Sequence, residues 1–158
     1  GKDVVGVINE YVAADQKPKT AAIVHAEDFF ANAIAAGAPV IMVSSATYSL
    51  IDPSAPAVFS STIVTDMLRR EMGFSGVVIT DDVGAAKAVA ATPVGERATK
   101  FIAAGGDIVL TADPSQVPTM VSAIEAKAKG DPAFAKQVTA SVTRVLTLKE
   151  DMGLLRCG

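Results

Sequence analysis

The run GVVITDD, residues 76–82, decides the fold class of this chain. Its apolar residues are continuous rather than alternating with polar ones, a pattern that predicts a strand covered on both faces, as in a parallel sheet. Two further runs share the pattern, PVIMVSS at residues 39–45 and DIVLT at residues 107–111, and Val4–Ile8 is a weaker candidate. Each gap between the three clear runs is long enough for the helical crossover that joins parallel strands.

Amphipathic segments with recognisable ends fill the gaps between these strands. Apolar residues recur at helical spacing, and glycine, proline, serine or aspartate stands where a helix would begin or end. The predicted helices are residues 29–34 ending at Gly37, a helix capped by Ser60 or Ser61 that stops at Gly73, one with Thr92 as N-cap and Pro93 as first residue that ends near Gly105, one from about Ser115 to Gly130, and one after Asp131-Pro132.

The fold class is therefore α/β, built of parallel βα units. An open doubly wound sheet and part of a (β/α)8 barrel both fit this order of elements. Since a complete barrel takes ~250 residues, this chain would hold about half of one.

The composition is that of one globular domain, residues 1–158. Half of the residues (50%) are hydrophobic, 20% are charged and the formal net charge is −3. Lysines and arginines are scattered, so no basic patch indicates nucleic-acid binding. The longest apolar runs fall short of the ~20 residues that cross a membrane, and Gly1-Lys2-Asp3 carries no signal-peptide pattern. The single cysteine, Cys157, excludes an internal disulfide and a cysteine-based zinc site.

Asp81 and Asp82, directly after the apolar run, are the candidates for chemistry. Parallel α/β folds place ligands at the C-terminal ends of their strands. Neighbouring strand residues point to opposite faces, so the two carboxylates should not share one role. We expect Asp81 to be the functional residue and Asp82 to be a capping residue. One histidine and no further carboxylate cluster argue against a metal, and Gly105-Gly106 is too short for a phosphate loop, so no cofactor is expected.

A series of short motifs surrounds Asp81. They are Tyr48, Asp52, PAVFS at 56–60, LRREMGF at 68–74, GVVITDD at 76–82, Arg97-Ala98, AGGDIVL at 104–110, RVLTLK at 144–149 and GLL at 153–155. In this order they resemble glycoside hydrolase family 3, and within it the β-N-acetylhexosaminidase-like branch that has a single barrel domain. The resemblance covers about residues 27–155 and leaves residues 1–26 poorly matched.

This resemblance implies a half barrel in which Asp81 is the nucleophile of a retaining glycosidase acting on terminal β-linked sugars, chiefly β-N-acetylglucosaminides. A carboxylate nucleophile must stay ionised, which polar surroundings at the mouth of a barrel allow. Thr80 stands where relatives usually have serine. Ser45 and Tyr48 should face the same mouth, either as sugar contacts or as turn and packing residues. The relatives also suggest a secreted or cell-envelope bacterial protein.

The resemblance also shows what this chain lacks. Retaining hydrolysis needs an acid/base group, about 5–5.5 Å from the nucleophile in the usual two-carboxylate case. In the relatives an Asp/His pair on an upstream loop has this role, after a Lys-His-Phe-Pro-Gly segment that is absent here. The lone His25 lacks the aspartate of that pair and is expected to be structural. The chain alone should therefore be inactive, and should pair with the N-terminal half of the barrel or with itself.

Other interpretations remain at this stage. The same fold could bind carbohydrate at Ser45, Tyr48 and Asp81 without cleaving it. A strand that ends in aspartate is also the phosphoacceptor pattern of receiver domains. These domains require an acidic pair after their first strand and a lysine after their last, and neither is found here. Asp107, which opens the third predicted strand, is expected to be a turn or cap residue rather than part of the site.

Overall fold

The computed structural model describes residues 30–155, and its core is a parallel α/β unit. The predictions on Val4–Ile8, His25 and Cys157 lie outside that range. In chain order the elements are α1 (residues 30–35), β1 (Val40–Val43), α2 (Thr62–Glu71), β2 (Val77–Thr80), α3 (Val94–Ala104), α4 (Val117–Gly130) and α5 (Pro132–Asp151), with short 3-10 turns at Ala57–Phe59, Lys87–Val89 and Pro114–Gln116.

The first two predicted strands form and pair in parallel. Val40 lies opposite Val77, and Val43 lies opposite Thr80, so both strands end at the same edge. Each is shorter than its apolar run. The parallel pairing supports the α/β prediction, with α2 as the crossover that returns the chain to the start of β2.

The prediction of a full third strand at residues 107–111 is wrong. It meets β2 at a single bridge between Ile79 and Ile108. Beyond that bridge the amide of Leu110 donates to the side-chain hydroxyl of Thr80 at 2.9 Å. Because this hydroxyl replaces a backbone acceptor, the ladder is interrupted. Backbone pairing resumes where Val83 N–H donates to Leu110 O at 3.1 Å.

β1 is covered on only one face, which differs from the prediction for a continuous apolar run. Ile41 and Val43 are 4% and 1% exposed and pack into the core. Val40 and Met42, on the other face, are 38% and 54% exposed. The alternation follows from strand geometry, because successive side chains point to opposite faces and the described helices cover one of them. An apolar sheet face thus stays open.

α1 and α2 end where glycine was predicted to end them. Gly37 and Gly73 have φ of 75° and 68°, in the left-handed region that glycine adopts without strain. Ser60 Oγ accepts the amide of Ile63 at 3.1 Å, so Ser60 rather than Ser61 caps α2. α2 is wound as a π-helix, in which each amide reaches the carbonyl five residues earlier, and Met72 N–H donates to Met67 O at 2.9 Å.

The starts of the later helices confirm one capping prediction and correct another. α3 begins at Val94 with Pro93 in the cap position, so the prediction of Thr92 as a side-chain cap is wrong. Asp131 caps α5 as predicted, accepting the amides of Ala133 and Phe134 at 3.1 and 3.0 Å. α3 packs against α4, and α4 packs against α5. No helix among residues 30–155 is long and apolar enough to cross a membrane.

Asp107 is a buried ion-pair centre at the N-terminal end of the strands, so the prediction of a turn or cap residue is wrong. Its side chain is fully buried and bonds Arg69 at 2.7 Å and Arg144 at 2.8 Å. The amide of Val78 also donates to it at 2.8 Å. Burial lowers the pKa of Arg69, and the charge of Asp107 opposes that shift. This cluster joins α2, β2 and α5 at the end of the sheet opposite Asp81.

Candidate active site

The ends of β1 and β2 bring together residues that are far apart in sequence. Val43 and Thr80 are the last paired residues, and the amide of Asp81 continues the ladder by donating to Val43 O at 2.9 Å. The residues that follow the two strands, Ser44 and Ser45 on one side and Asp81 on the other, therefore share one edge. This is the C-terminal edge, where parallel α/β folds place ligands.

Both oxygens of the Asp81 carboxylate accept a hydrogen bond. Ser45 Oγ donates to Oδ2 at 3.0 Å, and the backbone amide of Asp82 donates to Oδ1 at 2.7 Å. Ser45 is only 8% exposed, so its hydroxyl has little freedom to turn elsewhere. Hydrogen bonds to an ionised group are stronger than neutral ones, and two of them fix the plane of the carboxylate. The arrangement holds an oriented carboxylate at the strand edge.

The side chain of Asp82 accepts hydrogen bonds from backbone amides and does not contact the candidate site residues. Its Oδ1 accepts amides from Gly84 at 2.9 Å, Ala85 at 3.3 Å and Ala112 at 3.2 Å. These bonds fix the turn after β2 and tie it to the segment after the third apolar run. The two adjacent aspartates thus have different partners, in line with the prediction from strand alternation. Asp82 holds a turn and caps no helix, so the capping role expected for it is wrong.

Tyr48 contacts Ser44, the residue before Ser45, and not Asp81 itself. Its hydroxyl donates to Ser44 Oγ at 3.4 Å, and its ring packs against the core. Ser44 Oγ also accepts the amide of Ala46 at 3.0 Å. The structure therefore places Ser45 directly on Asp81 and Tyr48 on the neighbouring serine. Sequence reasoning did not single out Ser44, although it stands between β1 and Ser45.

Asp52 organises the loop between β1 and α2, a role the sequence did not indicate beyond the family motif. It accepts the Ser54 amide and hydroxyl at 2.9 and 2.5 Å and the Ser60 hydroxyl at 2.6 Å. These hydrogen bonds, led by the Ser54 hydroxyl, lower the pKa of Asp52 below its ordinary value. The local Asp-Pro-Ser turn is a signal for the Ser54 contacts, whereas the Ser60 contact depends on the fold.

Three cavities among residues 30–155 lie away from Asp81. The largest of three, about 540 Å³, is at the opposite end of the strands beside Pro39, Gly76 and Arg144. The other two, about 450 and 410 Å³, lie beside α3 and α5. Asp81, Ser45 and Tyr48 do not line these three cavities, and Asp81 is half-buried. Within residues 30–155 no group of three or more His, Cys, Asp or Glu side chains is arranged to hold a metal ion.

The comparisons with known proteins decide the family. The sequence profile described as glycosyl hydrolase family 3 N terminal domain matches residues 10–148. The chain belongs to glycosyl hydrolase family 3. The receiver-like interpretation is thereby excluded, and the resemblance found in the motifs is confirmed. The match also starts well before residue 27, where the motif resemblance begins.

The relatives are β-hexosaminidases. One from Xanthomonas oryzae pv. oryzae is 35% identical over 117 residues, which make up 73% of this chain and 34% of that protein. The crystal structure of a β-N-acetylhexosaminidase from Beutenbergia cavernae is 50% identical, with a TM-score of 0.76 over 78% of this chain and 37% of that one. The β-N-acetylglucosaminidase from Thermotoga maritima is 31% identical, with a TM-score of 0.64 over 68% and 24% of the two chains. This chain therefore spans about a third of the length of its curated relatives.

Proposed function

We propose that this chain supplies the nucleophile-bearing half of a family 3 barrel that hydrolyses terminal β-N-acetylglucosaminides with retention. The observation that carries the proposal is the carboxylate of Asp81 at the C-terminal edge of the strands, oriented by Ser45 and by the Asp82 amide. It stands within the part of the chain that matches the family. Relatives described as β-N-acetylhexosaminidases support the choice of sugar.

The geometry suits the first step of a retaining reaction. Asp81 attacks the anomeric carbon, an ester bond forms between its carboxylate and the sugar, and the bond to the aglycone breaks. The aglycone leaves with a proton from an acid/base group, which the resemblance places on a loop upstream of the matched motifs. Water then hydrolyses the ester and restores the carboxylate. Ser45 and the Asp82 amide hold Asp81 in place during both steps.

Transfer into a complete relative tests this activity. Residues 36–155 replace the corresponding segment of the Beutenbergia cavernae protein, giving what we call the grafted protein. We expect it to hydrolyse 4-nitrophenyl N-acetyl-β-D-glucosaminide, and we expect this chain alone not to do so. An Asp81→Asn graft should be inactive, while an Asp82→Asn graft should keep measurable turnover. Turnover that survives Asp81→Asn, or strong turnover by the chain alone, would overturn the proposal.

We also propose that the open face of β1 packs against the barrel strands that this chain does not contain. Val40 and Met42 form an apolar face at an unpaired strand edge of the described sheet. The chain spans 37% of the Beutenbergia cavernae protein, so most of that fold lies outside it. Interior side chains of such barrels are apolar and packed in layers, and Val40 and Met42 have that character. The occupant is thus the other part of the barrel.

Mixing the two parts tests this pairing. Light scattering of this chain with the segment of the Beutenbergia cavernae protein that precedes the match should show a one-to-one complex. Met42→Lys should weaken the complex, whereas Leu50→Lys, at an exposed loop position, should not. If this chain stays a stable monomer and does not bind the added segment, the proposal is contradicted. Self-association that the segment does not displace would contradict it as well.

A further inference from the structure

Arg97 on α3 is a buried arginine whose hydrogen bonds go to main-chain carbonyls. It is 7% exposed and donates to Thr92 O at 2.7 Å and Val83 O at 2.7 Å. It also donates to Gly84 O at 3.2 Å and Ala90 O at 3.3 Å. None of the ion pairs found among residues 30–155 involves it. Burying a guanidinium without a carboxylate is costly, and the four hydrogen bonds to carbonyls compensate this cost.

The four carbonyls lie at the two ends of one segment. Val83 and Gly84 begin the segment that follows Asp81-Asp82, and Ala90 and Thr92 end it just before α3. The planar guanidinium has five N–H donors in a fixed fork, which suits several acceptors at once. Arg97 therefore closes residues 83–92 into a loop whose entrance and exit are joined at one side chain.

The peptide group between Val83 and Gly84 is held from both sides. Arg97 donates to its carbonyl, and its N–H donates to Asp82 Oδ1 at 2.9 Å. A Cβ at Gly84 would collide with Thr111 Oγ1 and lie 3.0 Å from Asp82 Oδ1, so a larger residue would displace the side chains that hold this turn. A peptide bonded at both ends cannot rotate freely, so the backbone two residues after Asp81 is fixed.

This fixed backbone continues to the candidate nucleophile. The amide that donates to Asp81 Oδ1 is that of Asp82. The side chain of the same residue accepts the amide of Gly84 at its Oδ1, so Asp82 connects the fixed peptide to Asp81. Ser45 holds the other oxygen of Asp81 from β1. We propose that Arg97 is a positioning residue, which acts through the Val83–Gly84 peptide and the Asp82 amide to set the orientation of the Asp81 carboxylate. This inference rests on the proposed role of Asp81.

Amide exchange on the full chain, measured residue by residue by NMR, tests the inference without any catalysis. In the unaltered chain the Asp82 and Gly84 amides should be protected to the degree of the β2 amides. Arg97→Lys should make them exchange at least about tenfold faster, because an ammonium cannot span four carbonyls. The amides of β2 should keep their rates. Arg144→Lys, a matched change at the far end of the strands, should leave Asp82 and Gly84 unchanged.

Kinetics of the grafted protein give a second measurement. Arg97→Lys should lower kcat about tenfold and leave KM within about twofold, since binding does not depend on the exact plane of the nucleophile while the chemical step does. Arg144→Lys should leave both constants near their original values. A purely structural role would give the two variants equal losses.

The outcomes separate this inference from the proposed function. Asp82 and Gly84 amides that exchange as fast as the amide of the exposed Ser75, in the loop before β2, would overturn it in the unaltered chain, and no variant has to fold for that result. Equal acceleration of all amides in Arg97→Lys would overturn it too. If Asp81→Asn abolishes turnover while Arg97→Lys leaves the Asp82 amide protected, the inference alone fails. If the Asp81→Asn graft remains active, the proposed function fails.

Discussion

The hydroxyl of Ser45 donates to Asp81 Oδ2 across 3.0 Å, joining the ends of two parallel strands. The amide of Asp82 donates to the other oxygen, so the carboxylate is fixed in plane and direction. A retaining glycosidase needs a nucleophile aimed at one carbon atom, and small errors of position are costly. The contact explains why a small polar residue follows β1 at this point.

Ser45→Ala should lower kcat of the grafted protein by about tenfold. The change removes one hydrogen bond to an ionised group, worth about 1.5–3 kcal/mol, part of which water replaces, and each 1.36 kcal/mol is a factor of ten in rate. Ser44→Ala is the matched control, because Ser44 contacts Tyr48 and Ala46 rather than Asp81. Steady-state kinetics of both variants check this. Equal losses in the two would show that the Ser45 contact has no special role.

Asp107→Ala should destabilise this chain by about 3–5 kcal/mol. The change leaves the Arg69 and Arg144 guanidinium groups without the carboxylate they share in a buried site. Asp66→Ala removes only an exposed pair with Arg70 and should cost less than about 0.5 kcal/mol. Urea unfolding followed by circular dichroism measures both. A cost for Asp107→Ala as small as that of the control would contradict the buried cluster.

The chain should lose stability in acid. Hydrogen bonds hold the pKa values of Asp52, Asp113 and Asp131 below the ordinary 3.8. A carboxyl group whose pKa is lower in the folded state stabilises the fold above the ordinary value, and this contribution is lost as the pH falls through the folded value. The free energy of unfolding should therefore decline below about pH 4.

Asp131→Asn isolates one of these groups. The amide of Phe134 is the main cause of the lowered pKa of Asp131, and Lys127 adds to it. Asparagine is also a good helix cap, so α5 should remain intact while the titration disappears. Unfolding by urea between pH 7 and pH 3 should show a shallower decline than in the unaltered chain. An identical pH dependence would show that Asp131 does not contribute.

The sequence predicted the local features of the fold. Continuous apolar runs located β1 and β2, glycines located the ends of α1 and α2, and Asp131 marked the start of α5. These signals act within a few residues, so they can be recognised in one sequence. The third strand was predicted to be longer than it is, because the amide of Leu110 donates to the hydroxyl of Thr80 on β2 instead of to a backbone carbonyl.

The sequence predicted which strand edge carries the candidate residues but not the contacts between them. Family motifs and strand ends placed Ser45, Tyr48 and Asp81 at one edge, yet the bond between Ser45 and Asp81 joins residues 36 positions apart. Asp107 was misjudged for the same reason, since its arginines lie 38 and 37 positions away. Arg97 was noticed only as part of a family motif, and its contacts could not be predicted because main-chain carbonyls have no sequence signature.

The central claim is that Asp81 becomes covalently bonded to the sugar. A fluorinated N-acetylglucosaminyl substrate, which forms the intermediate faster than water removes it, should label the grafted protein once. Peptide mass spectrometry should then place the added sugar on the peptide that contains residues 76–82, with Asp81 as the modified residue and no label in the Asp81→Asn graft. Label on a different carboxylate, or turnover by Asp81→Asn without any label, would contradict the account.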